Sequence, residues 1–121
     1  MNLSTGVDLV EISRIREAIE RHGERFVARI FTQIEQRECN GRVESFAARF
    51  AAKEAAAKAL GCGIGDVSWL EIEVRGDENR APHLFLSGAA EEKALEKGLS
   101  GWSVSLSHTG EHAIAFVVAI G

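Results

Sequence analysis

The sequence predicts an α+β domain in which an antiparallel sheet packs against helices. Val43 to Leu60 is dense in alanine and free of glycine and proline, as a long helix requires. Later segments alternate apolar and polar residues and are joined by tight turns, the pattern of half-buried strands in hairpins. The elements follow the order β-α-α-α-β-β-α-β-β over one domain, residues 1–121.

Leu3 to Leu9 is predicted as a strand, with Gly6 permitting close backbone approach and Asp8 near its end. Residues 11–21 carry Ile12, Ile15 and Ile19 at helical spacing, and His22-Gly23 interrupts that helix. A second short helix holds Phe26 to Ile30, and residues 37–42 read as loop. The long helix ends at Gly61-Cys62-Gly63. Val67 to Val74 reads as a strand with Leu70, Ile72 and Val74 inward and Glu71 and Glu73 outward. The chain turns over residues 75–80 and returns as a strand from His83 to Leu86. Ser87 is placed to cap a helix running to about Lys97, with Gly98 as its stop. Trp102 to His108 alternates again, and Thr109-Gly110-Glu111 turns into the almost wholly apolar strand His112 to Ile120.

Composition narrows the classes. The 121 residues are 45% hydrophobic and 26% charged, which is globular and not disordered. No apolar run approaches the roughly 20 residues of a membrane span. The first residues lack the basic flank and apolar core of a signal peptide, so a cytoplasmic protein without membrane partners is expected. Cys39 and Cys62 share no CxxC spacing and read as reduced thiols. The net charge of −4 argues against a nucleic-acid partner. Arginine is nevertheless concentrated, with Arg14, Arg16, Arg21, Arg25 and Arg29 close together in the chain.

Four groups of residues could carry chemistry. In the long helix, Phe46, Phe50, Ala57 and Leu60 define an apolar arc, with Lys53 inside it and Glu54 at its edge. A carboxylate there needs a cation, a proton or several donors; the plainer alternative is a solvated Glu54–Lys58 pair at i,i+4. Asp8, in an apolar strand, either caps the next helix or joins Glu54 in holding a hard cation such as Mg²⁺. His108 falls on the apolar face at the mouth of a hairpin, as a hydrogen-bonded structural residue or as part of a site. Ser107 is adjacent and points to the opposite face, and no G-x-S-x-G elbow exists, so a serine hydrolase is disfavoured. On one continuous helix, Arg14, Arg21, Arg25 and Arg29 would lie within about 80° of each other beside Phe26. They form either a solvated face paired with Glu17, Glu20 and Glu24 or a dock for an acidic protein.

Three segments in order resemble one family: Gly6-Val7-Asp8-Leu9-Val10-Glu11 with Arg14-Ile15, then Arg49-Phe50-Ala51-Ala52-Lys53-Glu54-Ala55 with Lys58-Ala59-Leu60-Gly61, then Ser105-Leu106-Ser107-His108-Thr109. Together they span nearly the whole chain and are similar to the holo-acyl-carrier-protein synthases, the short group of 4′-phosphopantetheinyl transferases. The resemblance implies transfer of the phosphopantetheine arm of coenzyme A to a serine of an apo acyl carrier protein, releasing adenosine 3′,5′-bisphosphate, within fatty acid biosynthesis. It implies that Asp8 and Glu54 bind Mg²⁺, that Glu54 takes the serine proton directly or through a water, and that Lys58 neutralises the pyrophosphate. Arg49, His108 and Thr109 would hold the adenosine end of coenzyme A, and Arg14, Arg25, Phe26 and Arg29 would dock the carrier protein. Val10 stands where longer relatives carry a further acid, leaving two protein ligands for the ion. Those relatives hold two copies of the fold in one chain, so this length implies a homotrimer with His108 facing a neighbour's Asp8 and Glu54. Two other readings use the same residues: a Mg²⁺-dependent nucleotide phosphohydrolase, and a non-catalytic module that binds acidic proteins.

Overall fold

Gly6 and the alanines of the long helix set the architecture. The computed structural model describes residues 1–121. Strand β1 (Leu3–Glu11) leads into helices α1 (Ile12–His22), α2 (Glu24–Ile30), α3 (Gln33–Cys39) and α4 (Val43–Ala59). A 3₁₀ turn (Trp69–Glu71) precedes strands β2 (Ile72–Gly76) and β3 (Pro82–Leu86), helix α5 (Gly88–Glu96), and strands β4 (Gly101–His108) and β5 (His112–Ile120). The strands are antiparallel throughout, as expected, but form two sheets: β1-β5-β4 and β2-β3.

The core lies between the three-stranded sheet and α4. Ala51, Ala52, Ala55 and Ala56 are buried, as are Ala113, Ala115, Val117 and Ala119 on the facing side of β5. Small side chains on both surfaces let the backbones come close. At Gly6 a Cβ would fall on the carbonyl of Ala55, so this position tolerates no side chain. Ser4 donates to the carbonyl of Ala59 one turn further along α4. Because β1 lies directly on α4, residues of the same parity as Gly6, Asp8 among them, face the helix.

Three expectations are corrected. Residues 37–42 are not all loop, since α3 runs to Cys39. Thr32 and Glu35 form a reciprocal capping box at its start, and Asn40 closes it in the left-handed region at φ 48°. The strand expected from Val67 begins at Ile72, because Ser68 and Glu71 form a second capping box that turns the chain through the 3₁₀ segment. Leu70 is consequently 43% exposed and not inward. Ser87 sits at the N-cap of α5 without making the side-chain bond; Glu71 Oε2 accepts from the Ala89 N–H at 2.8 Å instead. The interruption expected at His22-Gly23 is present: Gly23 at φ 57° separates α1 from α2, so the arginines do not share one continuous helix.

Candidate active site

Two cavities flank α4, and the candidate residues divide between them. The first, of about 370 Å³, is lined by Asp8, Leu9 and Val10 of β1, Arg14, Ile15 and Ala18 of α1, Phe26 of α2, and Phe50 and Glu54 of α4. The close seating of β1 on α4 brings Asp8 and Glu54 together here. Asp8 does not cap α1, where Glu11 holds the N-cap position. Its carboxylate is instead paired with Lys58, whose Nζ donates to Asp8 Oδ1 at 3.2 Å and to the Val7 carbonyl at 2.8 Å. The Glu54–Lys58 pairing considered from i,i+4 spacing is thus replaced by a Lys58–Asp8 pair.

Burial pushes the Glu54 carboxyl above the ordinary glutamate range, the Asp8 carboxylate pushes it further, and Lys58 opposes both. Two carboxylates held this way repel each other and present only oxygen donors, a set that fits a hard divalent cation. No group of three or more His, Cys, Asp or Glu side chains could enclose an ion by itself. An ion here would complete its coordination with substrate and water oxygens, as Mg²⁺ commonly does beside phosphates.

Arg14 and Phe26 form part of the same cavity wall, whereas Arg25 and Arg29 are exposed on α2 outside it. The stacked pair Phe50–Trp69, with ring centroids 4.8 Å apart, backs the wall next to Glu54.

Arg49 lies elsewhere. It lines a second cavity, of about 450 Å³, with Glu38, Arg42, Ser45, Gly76, Asp77 and Arg80. Arg49 and Glu54 are five positions apart, which places them about 140° from each other around the helix. Arg49 donates to the Val74 carbonyl at 3.2 Å and to Glu38 Oε1 at 2.7 Å. Arg42, Arg80 and Glu38 went unnoticed in the sequence, although the first two add positive charge to the cavity and Glu38 orients Arg49.

His108 and Thr109, at the β4–β5 turn, line neither cavity. His108 is exposed, and the Thr109 hydroxyl accepts from the N–H groups of Glu111 and His112, so it shapes the turn. Within one chain the structure therefore gathers Asp8, Glu54, Lys58, Arg14 and Phe26, and leaves Arg49, His108 and Thr109 apart from them.

The exposed side of the three-stranded sheet is unusually apolar. Leu3, Val7 and Leu9 of β1 stand beside Ile120, Phe116 and Ile114 of β5 in register, all substantially exposed. Only one face of β5 is buried within the chain. No helix is long and apolar enough to cross a membrane.

A family model described as the 4′-phosphopantetheinyl transferase superfamily matches residues 4–117. The holo-[acyl-carrier-protein] synthase of Herpetosiphon aurantiacus is 52% identical over 126 residues, covering 98% of this chain and 99% of that one. Among solved structures, the holo-[acyl-carrier-protein] synthase of Helicobacter pylori in complex with coenzyme A aligns with a TM-score of 0.88 at 35% identity, covering 96% of this chain and 99% of that one. The synthase from Neisseria meningitidis aligns with a TM-score of 0.88 at 38% identity, covering 98% of each chain. With the α+β fold and nearly the full length matched, the chain belongs to the 4′-phosphopantetheinyl transferase superfamily and is an enzyme of that transferase class.

Proposed function

We propose that this chain is a holo-acyl-carrier-protein synthase that uses coenzyme A, with Mg²⁺, to modify a serine of an apo acyl carrier protein. The observation that carries the reading is that Asp8 and Glu54 line one cavity while Lys58 pairs with Asp8 and acts on the Glu54 carboxyl. The serine oxygen attacks the phosphorus that bears the pantetheine arm. A new O–P bond forms as the P–O bond to the nucleotide side breaks, and adenosine 3′,5′-bisphosphate leaves with the electron pair. Glu54 accepts the serine proton, directly or through a water. Lys58 is half-exposed, and its ammonium neutralises charge on the pyrophosphate by exchanging Asp8 for a phosphate oxygen. A bound Mg²⁺, held by Asp8 and Glu54, would supply charge neutralisation on the pyrophosphate.

The carrier protein docks on α1 and α2. Exposed Arg14, Arg25 and Arg29 offer forks for its carboxylates, and half-buried Phe26 is an apolar anchor beside the cavity. Arg49, with Arg42 and Arg80, receives the phosphates at the adenosine end.

The working form is a homotrimer. Two features favour it: the uncovered apolar face of β1 and β5, and the separation of Arg49, His108 and Thr109 from the acidic cavity. A neighbouring copy can bring its Arg49, His108 and Thr109 to Asp8, Glu54 and Lys58, completing a site between chains. A cytoplasmic location accords with the free thiols of Cys39 and Cys62.

Incubating the chain with coenzyme A, Mg²⁺ and an apo carrier protein, then weighing the carrier protein intact, tests the activity. A gain of one phosphopantetheine mass is expected. An unchanged carrier protein with cleaved coenzyme A would indicate a phosphohydrolase, and no change in either would indicate a binding module.

A further inference from the structure

Strand β2 has one strand neighbour. Its pairing with β3 leaves the outward edge, at Ile72, Val74 and Gly76, facing α3 and α4. Four backbone groups on that edge are taken by side chains instead of by another strand. Lys53 Nζ donates to the Ile72 carbonyl at 2.7 Å, and Glu35 Oε2 accepts from the Val74 N–H at 2.8 Å. Arg49 Nε donates to the Val74 carbonyl at 3.2 Å, and Glu38 Oε1 accepts from the Gly76 N–H at 2.9 Å. The same four residues form two ion pairs, Glu35–Lys53 at 2.8 Å and Glu38–Arg49 at 2.7 Å. Acids three apart on one helix, cations four apart on another and strand groups two apart step by about 4.5, 6 and 6.6 Å, close enough for two parallel rungs.

The rungs differ in exposure. Glu35 and Lys53 are fully buried and fully bonded: the ammonium also donates to the Trp69 carbonyl at 2.9 Å, and Glu35 Oε1 accepts from the Thr32 N–H at 2.9 Å. No ligand can reach this pair. Glu38 and Arg49 are partly exposed and line the cavity with Arg42 and Arg80. Burial pushes the neighbouring Cys39 thiol up to about 11, so it adds no charge beside Arg49.

Apolar packing could hold a strand against two helices as well as a buried ion pair does. A directional pair adds register. Lys53 and Glu35 grip Ile72 and Val74, and the other backbone group of Val74 holds Arg49. We propose that Glu35 and Lys53 are positioning residues for Arg49: the buried rung sets β2 in register on α4, and β2 with Glu38 then aims the guanidinium into the cavity. The inference rests on the reading that Arg49 binds the adenosine end of coenzyme A.

A double-mutant cycle tests it, with coenzyme A affinity measured by calorimetry on the folded chain for wild type, Lys53→Met, Arg49→Ala and the combination. Arg49→Ala is expected to weaken coenzyme A at least about tenfold, as loss of a charged contact does. Lys53→Met is expected to weaken it several-fold alone and to add nothing once Arg49 is alanine. In turnover the Lys53→Met loss should appear in KM for coenzyme A more than in kcat. Where Lys53→Met fails to fold because Glu35 is left unpaired, Glu35→Gln/Lys53→Met leaves no buried lone charge and replaces it in the cycle. Equal losses on both backgrounds, or none in the wild-type background, would overturn the positioning role alone. Unchanged affinity in Arg49→Ala would overturn the cofactor role of Arg49 and the positioning role with it.

Discussion

Lys58 Nζ sits 3.2 Å from Asp8 Oδ1, so an internal cation already occupies one of the two carboxylates proposed to hold the metal. A divalent ion entering this site competes with Lys58 for Asp8. The pair is partly exposed, so its contribution is about 1 kcal/mol or less. Lys58→Met should therefore bind Mn²⁺, read by electron paramagnetic resonance, up to about fivefold more tightly, while transfer to the carrier protein slows strongly. Asp8→Asn should lose Mn²⁺ binding, leaving the free-ion signal undiminished. Equal Mn²⁺ affinity in wild type and Lys58→Met would refute the competition, and equal affinity in all three chains would refute the metal site.

The raised Glu54 carboxyl yields a pH prediction for the ion-free protein. A carboxyl that holds its proton more tightly folded than unfolded stabilises the fold fully below the unfolded value near 4.5. That contribution disappears as pH rises through the higher folded value. Carbon-13 NMR of the Glu54 carboxyl should show its midpoint above 4.5, moved down by Asp8→Asn and up by Lys58→Met, because the first removes a repulsive charge and the second an attractive one. A midpoint insensitive to both substitutions would show that the three groups do not interact.

Much of this site could be read before the coordinates. The alanine run of α4, the glycine in β1 and the hairpin turns each state a local preference that the tertiary structure obeys. The odd placement of Lys53 on an apolar arc was also visible, but its partner was not. Glu35 matters because α3 lies along the free edge of β2, and neither that helix nor that edge follows from hydrophobic periodicity. The Thr32-Gln33-Ile34-Glu35 and Ser68-Trp69-Leu70-Glu71 capping boxes were the missed signals, since S/T-x-x-E marks a helical start. Arg49 resisted prediction differently. Its helical spacing from Glu54 is legible in the sequence, yet only the fold shows that the two residues line different cavities.

Gly6 offers a test of how the acidic cavity is assembled. A methyl at this position would meet the backbone of Ala55, which no rotamer change relieves. Gly6→Ala should cost about 3 kcal/mol or more, seen as a lowered urea midpoint, and should reduce transfer further by moving Asp8 away from Glu54. Gly63→Ala, with open space around the added carbon, is the control and should change the midpoint little.

Charge on α1 should govern one substrate and not the other. Arg14→Glu reverses an exposed charge on the cavity rim while leaving the core untouched. Carrier-protein KM is expected to rise by at least about tenfold, with a steep salt dependence, and coenzyme A affinity to stay within about twofold. Comparable losses for both substrates would remove α1 from the docking surface.

The outward face of β1 and β5 predicts the assembly. Cross-strand neighbours Leu3–Ile120, Val7–Phe116 and Leu9–Ile114 put six exposed apolar side chains in one band, while the outward residues of β4 are the serines Ser103, Ser105 and Ser107. A band bounded by polar residues is a patch built for burial against another protein surface. Phe116 points away from α4, so Phe116→Arg leaves the core packed but sets a charge in that patch. Light scattering should report trimers for the wild type and monomers for this variant, with an unchanged far-ultraviolet spectrum. Transfer should fall by about a hundredfold or more, because each site would lose Arg49, His108 and Thr109 of its neighbour. A monomeric variant that still transfers at the wild-type rate would show that one chain holds a complete site.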